Sequence, residues 1–226
     1  ELSWSQYTEW NKRHEVASAA LVRREEKMEE VADSIEREMV LLGGTAIEDR
    51  LQDGVPDAIA VLAQAGIKLW VLTGDKVETA INIGFSCNLL GNDMELLVLK
   101  TTGVDVEKIS DDPRVIVSTL LTKYLDEIFN MQGTWDEVEE AKSVHEPPQG
   151  NYGVVIDGDA LKLALQGDNM IKFLLLCKQC KAVLCCRVSP AQKAAVVKMV
   201  KESLDVMTLA IGDGSNDVAM IQSADI

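Results

Sequence analysis

At 226 residues, 47% of them hydrophobic, the chain is long enough to bury the core of one large domain, or of one domain and part of a second. A net charge of -15 argues against nucleic acid or an anionic membrane as the direct partner of its surface. No apolar stretch has the length needed to cross a bilayer, and the five cysteines are odd in number and unevenly spaced, which suits a soluble chain in a reducing, cytosolic setting.

In chain order, residues 4–38 carry Trp4, Tyr7, Trp10, Ala17, Leu21, Met28, Val31 and Ile35 at helical spacing, with Arg23 to Glu30 as a charged, solvated face. This predicts a long amphipathic helix with a break near Asn11. From Glu38 the pattern changes to alternating strand and helix. Met39–Leu42 reads as a strand, and Asp53-Gly54-Val55-Pro56 starts a helix that stops at Gly66. Ile67–Leu72 is a strand, Lys76–Leu90 a helix and Glu95–Lys100 a strand. Further strands fall at Tyr152–Ile156, Ala182–Cys186 and Val206–Ile211, with helices near Leu161–Gln179 and Pro190–Ser203. Such alternation predicts an α/β domain, a Rossmann-like parallel sheet with helices on both faces. Residues 101–150 interrupt it. They are acidic, carry Pro147-Pro148 and a helix near Thr119–Met131, and are expected to form a surface insertion that is partly mobile and dispensable for chemistry. The last residues, Ser223–Ile226, carry neither a cap nor a polar tail, so the chain reads as cut from something larger.

Ligands of an open parallel sheet bind outside the carboxyl ends of its strands, and four polar clusters fall there. Thr73-Gly74-Asp75 follows Leu72, Asp157-Gly158-Asp159 follows Ile156, Arg187 follows Cys186 with Lys193 in the next helix's first turn, and Gly212-Asp213-Gly214-Ser215-Asn216-Asp217 follows Ile211. A threonine hydroxyl beside free amides holds phosphate oxygens, and a lysine adds a point charge for the same group. Two crowded carboxylates call for a cation, and hard oxygen ligands suit Mg²⁺. Together these are parts of a phosphoryl-transfer site.

Leu72–Asp75, Arg187-Val188-Ser189-Pro190-Ala191-Gln192-Lys193 and Gly212–Asp217 resemble, in order and near spacing, the phosphorylation domain of P-type ATPases, which has the haloacid-dehalogenase-like fold. Ala46–Gln52 (Ala-Ile-Glu-Asp-Arg-Leu-Gln) stands where cation pumps usually carry Asp-Pro-Pro-Arg. With Leu69–Asp75, Lys76–Gly84 and Cys185–Pro190, it makes the chain similar to type-IV P-type ATPases, the phospholipid flippases, and most of all to fungal members that move phosphatidylcholine and phosphatidylethanolamine.

The resemblance implies roles. Asp213 would be a Mg²⁺ ligand, assisted by Asp217. Asn216 would meet a phosphate oxygen, and Thr73 and Lys193 would hold the transferred phosphoryl group. Gly74, Asp75 and Arg187 would lie along ATP, and Asp49 would support the metal loop or a hinge. Residues 1–38 would be the tail of the nucleotide-binding domain and 39–226 an incomplete phosphorylation domain. The whole pump would sit in plasma membrane, endosome or trans-Golgi with this part on the cytosolic face. It would carry phospholipid through membrane helices absent here and pair with a two-span glycosylated accessory subunit. The Asp-Lys-Thr-Gly motif that bears the family's acceptor aspartate does not occur in this sequence, so the chain would not form the phosphoenzyme by itself.

Two other patterns compete. Asp157-Gly158-Asp159 imitates the Asp-x-Asp nucleophile of stand-alone phosphatases of the same superfamily, but it follows the threonine strand instead of preceding it, and Ala160 takes the place of the usual threonine or valine. A structural strand end is the preferred account. Cys177, Cys180, Cys185 and Cys186 suggest zinc, yet adjacent strand cysteines point to opposite faces and His14 and His145 are remote, so reduced, buried thiols are expected. The alternatives to a flippase segment are thus a Mg²⁺-dependent phosphatase using Asp157 and a non-catalytic Mg²⁺- or nucleotide-binding module.

Overall fold

A computed structural model describes residues 2–20, 23–37, 39–44, 51–144 and 147–226. By compactness the chain divides into two units, Glu1–Asp49 and Arg50–Ile226.

The first unit is a helical hairpin. Helix α1 (Trp4–Ser18) starts at a capping box in which Ser3 and Gln6 satisfy each other's backbone amides, and α2 (Arg24–Ile35) folds back on it. The Trp10 indole donates to the Val31 carbonyl at 2.9 Å and Arg13 donates to the Ser34 hydroxyl at 3.2 Å. The expected single helix is therefore two, and the break lies after Ser18, not near Asn11: the apolar stripe satisfies itself by doubling over. Met39–Leu42, expected as a strand, forms none. Its four side chains are 73–97% exposed, and among the described residues its unit contains only helices, with no strand edge for it to join.

The second unit contains α3 (Val55–Gln64), β1 (Trp70–Leu72), α4 (Val77–Ser86), β2 (Glu95–Leu99), α5 (Val104–Glu107), α6 (Pro113–Phe129), α7 (Trp135–Ser143), β3 (Tyr152–Asp157), α8 (Gly158–Ala164), α9 (Asp168–Gln179), β4 (Ala182–Cys186), α10 (Pro190–Leu204) and α11 (Val218–Ser223). The four strands form one all-parallel sheet in the order β1-β4-β3-β2, with Leu72 opposite Cys185 and Asp157 opposite Cys186. Side-chain alternation divides the apolar residues between the two faces. Leu97, Leu99, Val154, Ile156, Val183 and Cys185 enter the larger core with α6, α8, α9 and α10. Leu96, Val98, Val155, Leu184 and Cys186 enter the smaller one with α4. The expected α/β sheet with two covered faces is what forms. The helix expected over 161–179 is split: α8 ends at its cap Leu165, and Gly167, with φ of 52° and ψ of -137°, caps the start of α9.

Two expectations are corrected. Residues 101–150 are not a surface insertion. Val106, Ile116, Val117, Leu120, Leu121, Leu125, Val138 and Ala141 all belong to the larger core, so the segment is one of its walls. The apolar residues of α6 recur at three- and four-residue intervals and make a stripe against α9, while its acidic residues face water. Val206–Ile211 likewise forms no sheet strand. Met207 and Ile211 are each 79% exposed, and among the described residues the segment's backbone pairs only with the chain end, Ala210 N–H to the Ile226 carbonyl at 2.9 Å and Asp225 N–H to the Thr208 carbonyl at 3.0 Å. Asp225 supports this pairing: Lys201 and the Thr208 amide hold its carboxyl down at about 2.

Because 101–150 walls the core, replacing 103–149 by a short Gly/Ser linker should strip apolar cover from α8 and α9 and leave a protein that is insoluble or unfolds at far lower urea. An unchanged urea midpoint would show that the segment is dispensable after all.

Candidate active site

The carboxyl ends of β1, β4 and β3 form one rim. At the end of β1 the Thr73 hydroxyl donates to Asp75 Oδ2 at 2.7 Å and accepts from the Asp75 amide at 3.1 Å, a local turn that ties hydroxyl and carboxylate together. Pairing with β4 continues beyond both strands: Thr73 N–H donates to the Cys185 carbonyl at 2.9 Å, Val188 N–H to the Thr73 carbonyl at 3.1 Å, and Arg187 N–H to the Asp75 carbonyl at 3.0 Å. These bonds hold Thr73, Gly74 and Asp75 beside Arg187, whose φ of 53° is left-handed and turns the chain sharply out of the sheet. The Arg187 side chain is exposed.

Helix α10 begins at this turn with a second capping box, Ser189 with Gln192, and Pro190 in its first turn. The cap fixes Lys193 one residue further on. Lys193 is 5% exposed and Asp217 8%, and Lys193 Nζ donates to Asp217 Oδ1 at 2.7 Å. Asp217 Oδ2 accepts from the Gly214 amide at 3.1 Å, and the Asp217 amide donates to the Gly214 carbonyl at 3.0 Å. A side chain at Gly212 would stand 2.4 Å from the Asp217 Cβ, so the loop closes this tightly only with glycine there. The Lys193 hydrogen bond, with the Gly214 amide and the lysine's charge behind it, holds the Asp217 carboxyl below its usual range.

The structure thus brings Lys193 onto Asp217, and Thr73, Gly74 and Asp75 onto the Arg187 turn. Asp213 and Asn216 lie exposed on the 212–217 loop, and Asp49 falls outside the described residues. Asp157, the rival nucleophile, accepts the Ala160 amide at 2.7 Å and so caps α8, and burial pushes its carboxyl up. The thiols of Cys177, Cys180, Cys185 and Cys186 are buried, and that burial raises them all, Cys180 and Cys186 to about 12. Among the described residues no cluster of three or more His, Cys, Asp or Glu side chains could hold a metal. Asp213 and Asp217 are two carboxylates of one loop, hard oxygen donors of the type Mg²⁺ takes one or two of before completing its shell with water and phosphate. Sequence reasoning passed over Gln192, which besides capping α10 donates through Nε2 to the Gly158 carbonyl at 2.6 Å. Its signal was the Ser-x-x-Gln capping pattern at 189–192.

An all-parallel sheet of four strands with helices on both faces is the architecture of a haloacid-dehalogenase-like domain of the Rossmann type. The sequence is 72% identical over 227 residues to the phospholipid-transporting ATPase DNF1 of Saccharomyces cerevisiae, 63% over 226 residues to the DNF1 of Chaetomium thermophilum, and 46% over 226 residues to DRS2 of Saccharomyces cerevisiae, in each case over 100% of this chain. No family model matches it. Over its whole length the chain is similar to these phospholipid-transporting ATPases, and it spans 14% of the length of the first relatives it matches.

The Lys193–Asp217 contact sets a pH expectation. Because the folded carboxyl is depressed, its contribution to stability is complete above the ordinary aspartate value of 3.8 and is lost as pH falls through the lower folded value. A carboxyl-carbon NMR titration should find Asp217 below 3.8 in the wild type and moved upward in Lys193→Met. An Asp217 titration that ignores Lys193→Met would refute the pairing.

Proposed function

We propose that the chain is the phosphorylation-domain segment of an ATP-driven phospholipid flippase, with residues 1–38 the tail of the nucleotide-binding domain. The observation that carries this reading is the buried Lys193–Asp217 pair at the strand-end rim that also holds Thr73, Asp75 and Arg187. A buried lysine–carboxylate pair is costly to desolvate and is a weak source of stability. Placed at the ligand-binding edge of a parallel sheet, it is a charge store for an anionic group and a cation.

In this reading Lys193 Nζ binds the transferring phosphoryl oxygens and neutralises the charge they gain. The Thr73 hydroxyl, turning its proton from Asp75 to the ligand, donates to the same group, and Asn216 meets another of its oxygens. Gly74, Asp75 and Arg187 orient ATP, the Arg187 turn being held by its bond to Asp75. Asp213, with Asp217, would hold Mg²⁺, which when bound screens the phosphates and so permits attack by a carboxylate. That attacking carboxylate lies outside this chain. Two features support a place for it: β1 is the end strand of the sheet, with β4 its one partner among the described residues, and Met207, Leu209 and Ile211 are apolar and exposed. A strand inserted beside β1 would cover both and bring an aspartate at its carboxyl end to Thr73. Hydrolysis of the resulting acyl phosphate would reset the pump and couple ATP to the movement of phospholipid to the cytoplasmic leaflet, in plasma membrane, endosome or trans-Golgi, with a two-span glycosylated subunit as partner. No helix among the described residues is long and apolar enough to cross a membrane, in keeping with a segment that serves the membrane part from outside it. Asp157 is spent on capping α8, which disfavours the phosphatase alternative.

In the full-length protein, Asp213→Ala should nearly abolish phosphoenzyme formation from ATP, and Lys193→Ala should slow it on the order of a hundredfold, as loss of a positioned charge-stabilising donor does. Lys193→Arg should rescue only in part, since a planar fork does not replace a point charge. Wild-type phosphoenzyme levels in Asp213→Ala would end the metal assignment. Conversely, aryl-phosphatase turnover by the chain that vanishes in Asp157→Asn would favour the phosphatase.

A further inference from the structure

The Arg187 turn is held from below by two residues that the phosphoryl-transfer reading does not use. Arg187 is not glycine, yet its φ is 53°, a conformation that a side-chain-bearing residue keeps only where its surroundings impose it. The Arg187 amide is fixed by the Asp75 carbonyl. The other side of its peptide meets Gly158, the first residue of α8: a Cβ added to Gly158 would lie 2.3 Å from the Arg187 carbonyl oxygen. No side chain fits there without moving backbone, so the close approach of the two loops depends on that glycine. Gly158 is in turn tied to α10, because its carbonyl accepts Gln192 Nε2 at 2.6 Å while Gln192 Oε1 accepts the Ser189 amide at 2.9 Å. One amide side chain therefore closes a ring that runs from Asp75 through Arg187 and Gly158 to the first turn of α10. The residue after Gln192 is Lys193.

We propose that Gln192, acting through Gly158, is a positioning residue that fixes the Arg187 turn and thereby sets the enzyme's affinity for ATP. This rests on the proposed placement of Arg187 along the nucleotide. The chemistry of the clamp is specific. An ordinary capping box is served equally by glutamate at this position, since only an acceptor for the Ser189 amide is needed. Holding Gly158 needs a donor as well, and of the two residues only glutamine offers both. A glutamate would keep the cap and place a carboxylate against the Gly158 carbonyl.

Gln192→Glu therefore separates the two tasks, and the test uses the full-length protein, with ATP-dependent phosphoenzyme formation and ATPase turnover measured across ATP concentration. The expected result is a KM for ATP raised about tenfold, the effect of one lost part-buried hydrogen bond replaced by a carboxylate facing a carbonyl, with kcat within about threefold. Arg187→Ala should raise KM as well. In the Arg187→Ala background, Gln192→Glu should add less than about twofold, because residues that act through one another are not additive. A role confined to folding stability would lower the amount of active protein without splitting KM from kcat in this way. If Gln192→Glu does not accumulate as folded protein, Gln192→Met, with Ser189→Ala as the control for the lost cap, serves the same comparison. KM unchanged in the Gln192 variant while Arg187→Ala raises it would overturn the clamp alone. KM unchanged in Arg187→Ala would overturn the nucleotide assignment and the clamp with it. Full additivity of the two substitutions would show that Gln192 does not act through Arg187.

Discussion

The contact between Lys193 and Asp217 is the constraint on which the site depends. Two opposite charges are taken out of water at the edge of a sheet, and each is tolerable only because the other is 2.7 Å away. Two local devices bring them together, a helix cap on one side and a glycine on the other. The Ser189–Gln192 cap sets the first turn of α10 and so the direction of Lys193, while the empty space at Gly212 lets the 212–217 loop fold back far enough for Asp217 to reach it. On the proposed reading the pair is also a switch in waiting, since the lysine that neutralises Asp217 is the one a phosphoryl group would claim, and the carboxylate it releases is then free for a cation.

The sheet's job is to hold three strand ends level. The two-faced core does this: alternate residues of β2, β3 and β4 enter opposite cores, so a slip of one residue would turn every apolar side chain the wrong way. The segment 101–150 is part of that machinery, because α6 supplies Val117, Leu121 and Leu125, all fully buried, to the larger core. The opposite edge is less finished. Among the described residues β1 has three residues and one neighbour, and the backbone of Val206–Ile211 pairs with the chain end while Val206 alone of its apolar side chains reaches the larger core. In a chain that spans 14% of its relatives' length, an unpaired strand edge beside the candidate site fits a site shared with other parts of the protein.

Most of this was legible in the residues, and the misses share a physical cause. β2, β3 and β4 are apolar runs buried on both faces, a signal that needs no knowledge of the partner strand. Val206–Ile211 and Met39–Leu42 have equally apolar runs and form no strand, because a strand is stabilised by its neighbour and neither segment has one among the described residues. The periodicity of residues 4–38 does not distinguish one long helix from two folded together. For 101–150, acidity and the Pro147-Pro148 pair outweighed the spacing of Ile116, Val117, Leu120, Leu121 and Leu125, which was the better guide. At the candidate site, Thr73, Asp75 and Arg187 stand out by their place just after β1 and β4, whereas Asp213 and Asp217 follow an apolar run that forms no strand. The direct bond between Lys193 and Asp217 was not legible, since a separation of twenty-four residues in the chain carries no distance.

The most direct test is a structure of the full-length protein bound to Mg²⁺ and a beryllium fluoride mimic of the phosphoryl group. The account predicts that Lys193 Nζ leaves Asp217 Oδ1 for the fluoride, that Thr73 donates to the same group, and that an Asp213 oxygen lies about 2.0–2.1 Å from the metal. A complex in which Mg²⁺ and fluoride are bound elsewhere while the Lys193–Asp217 contact persists would contradict it.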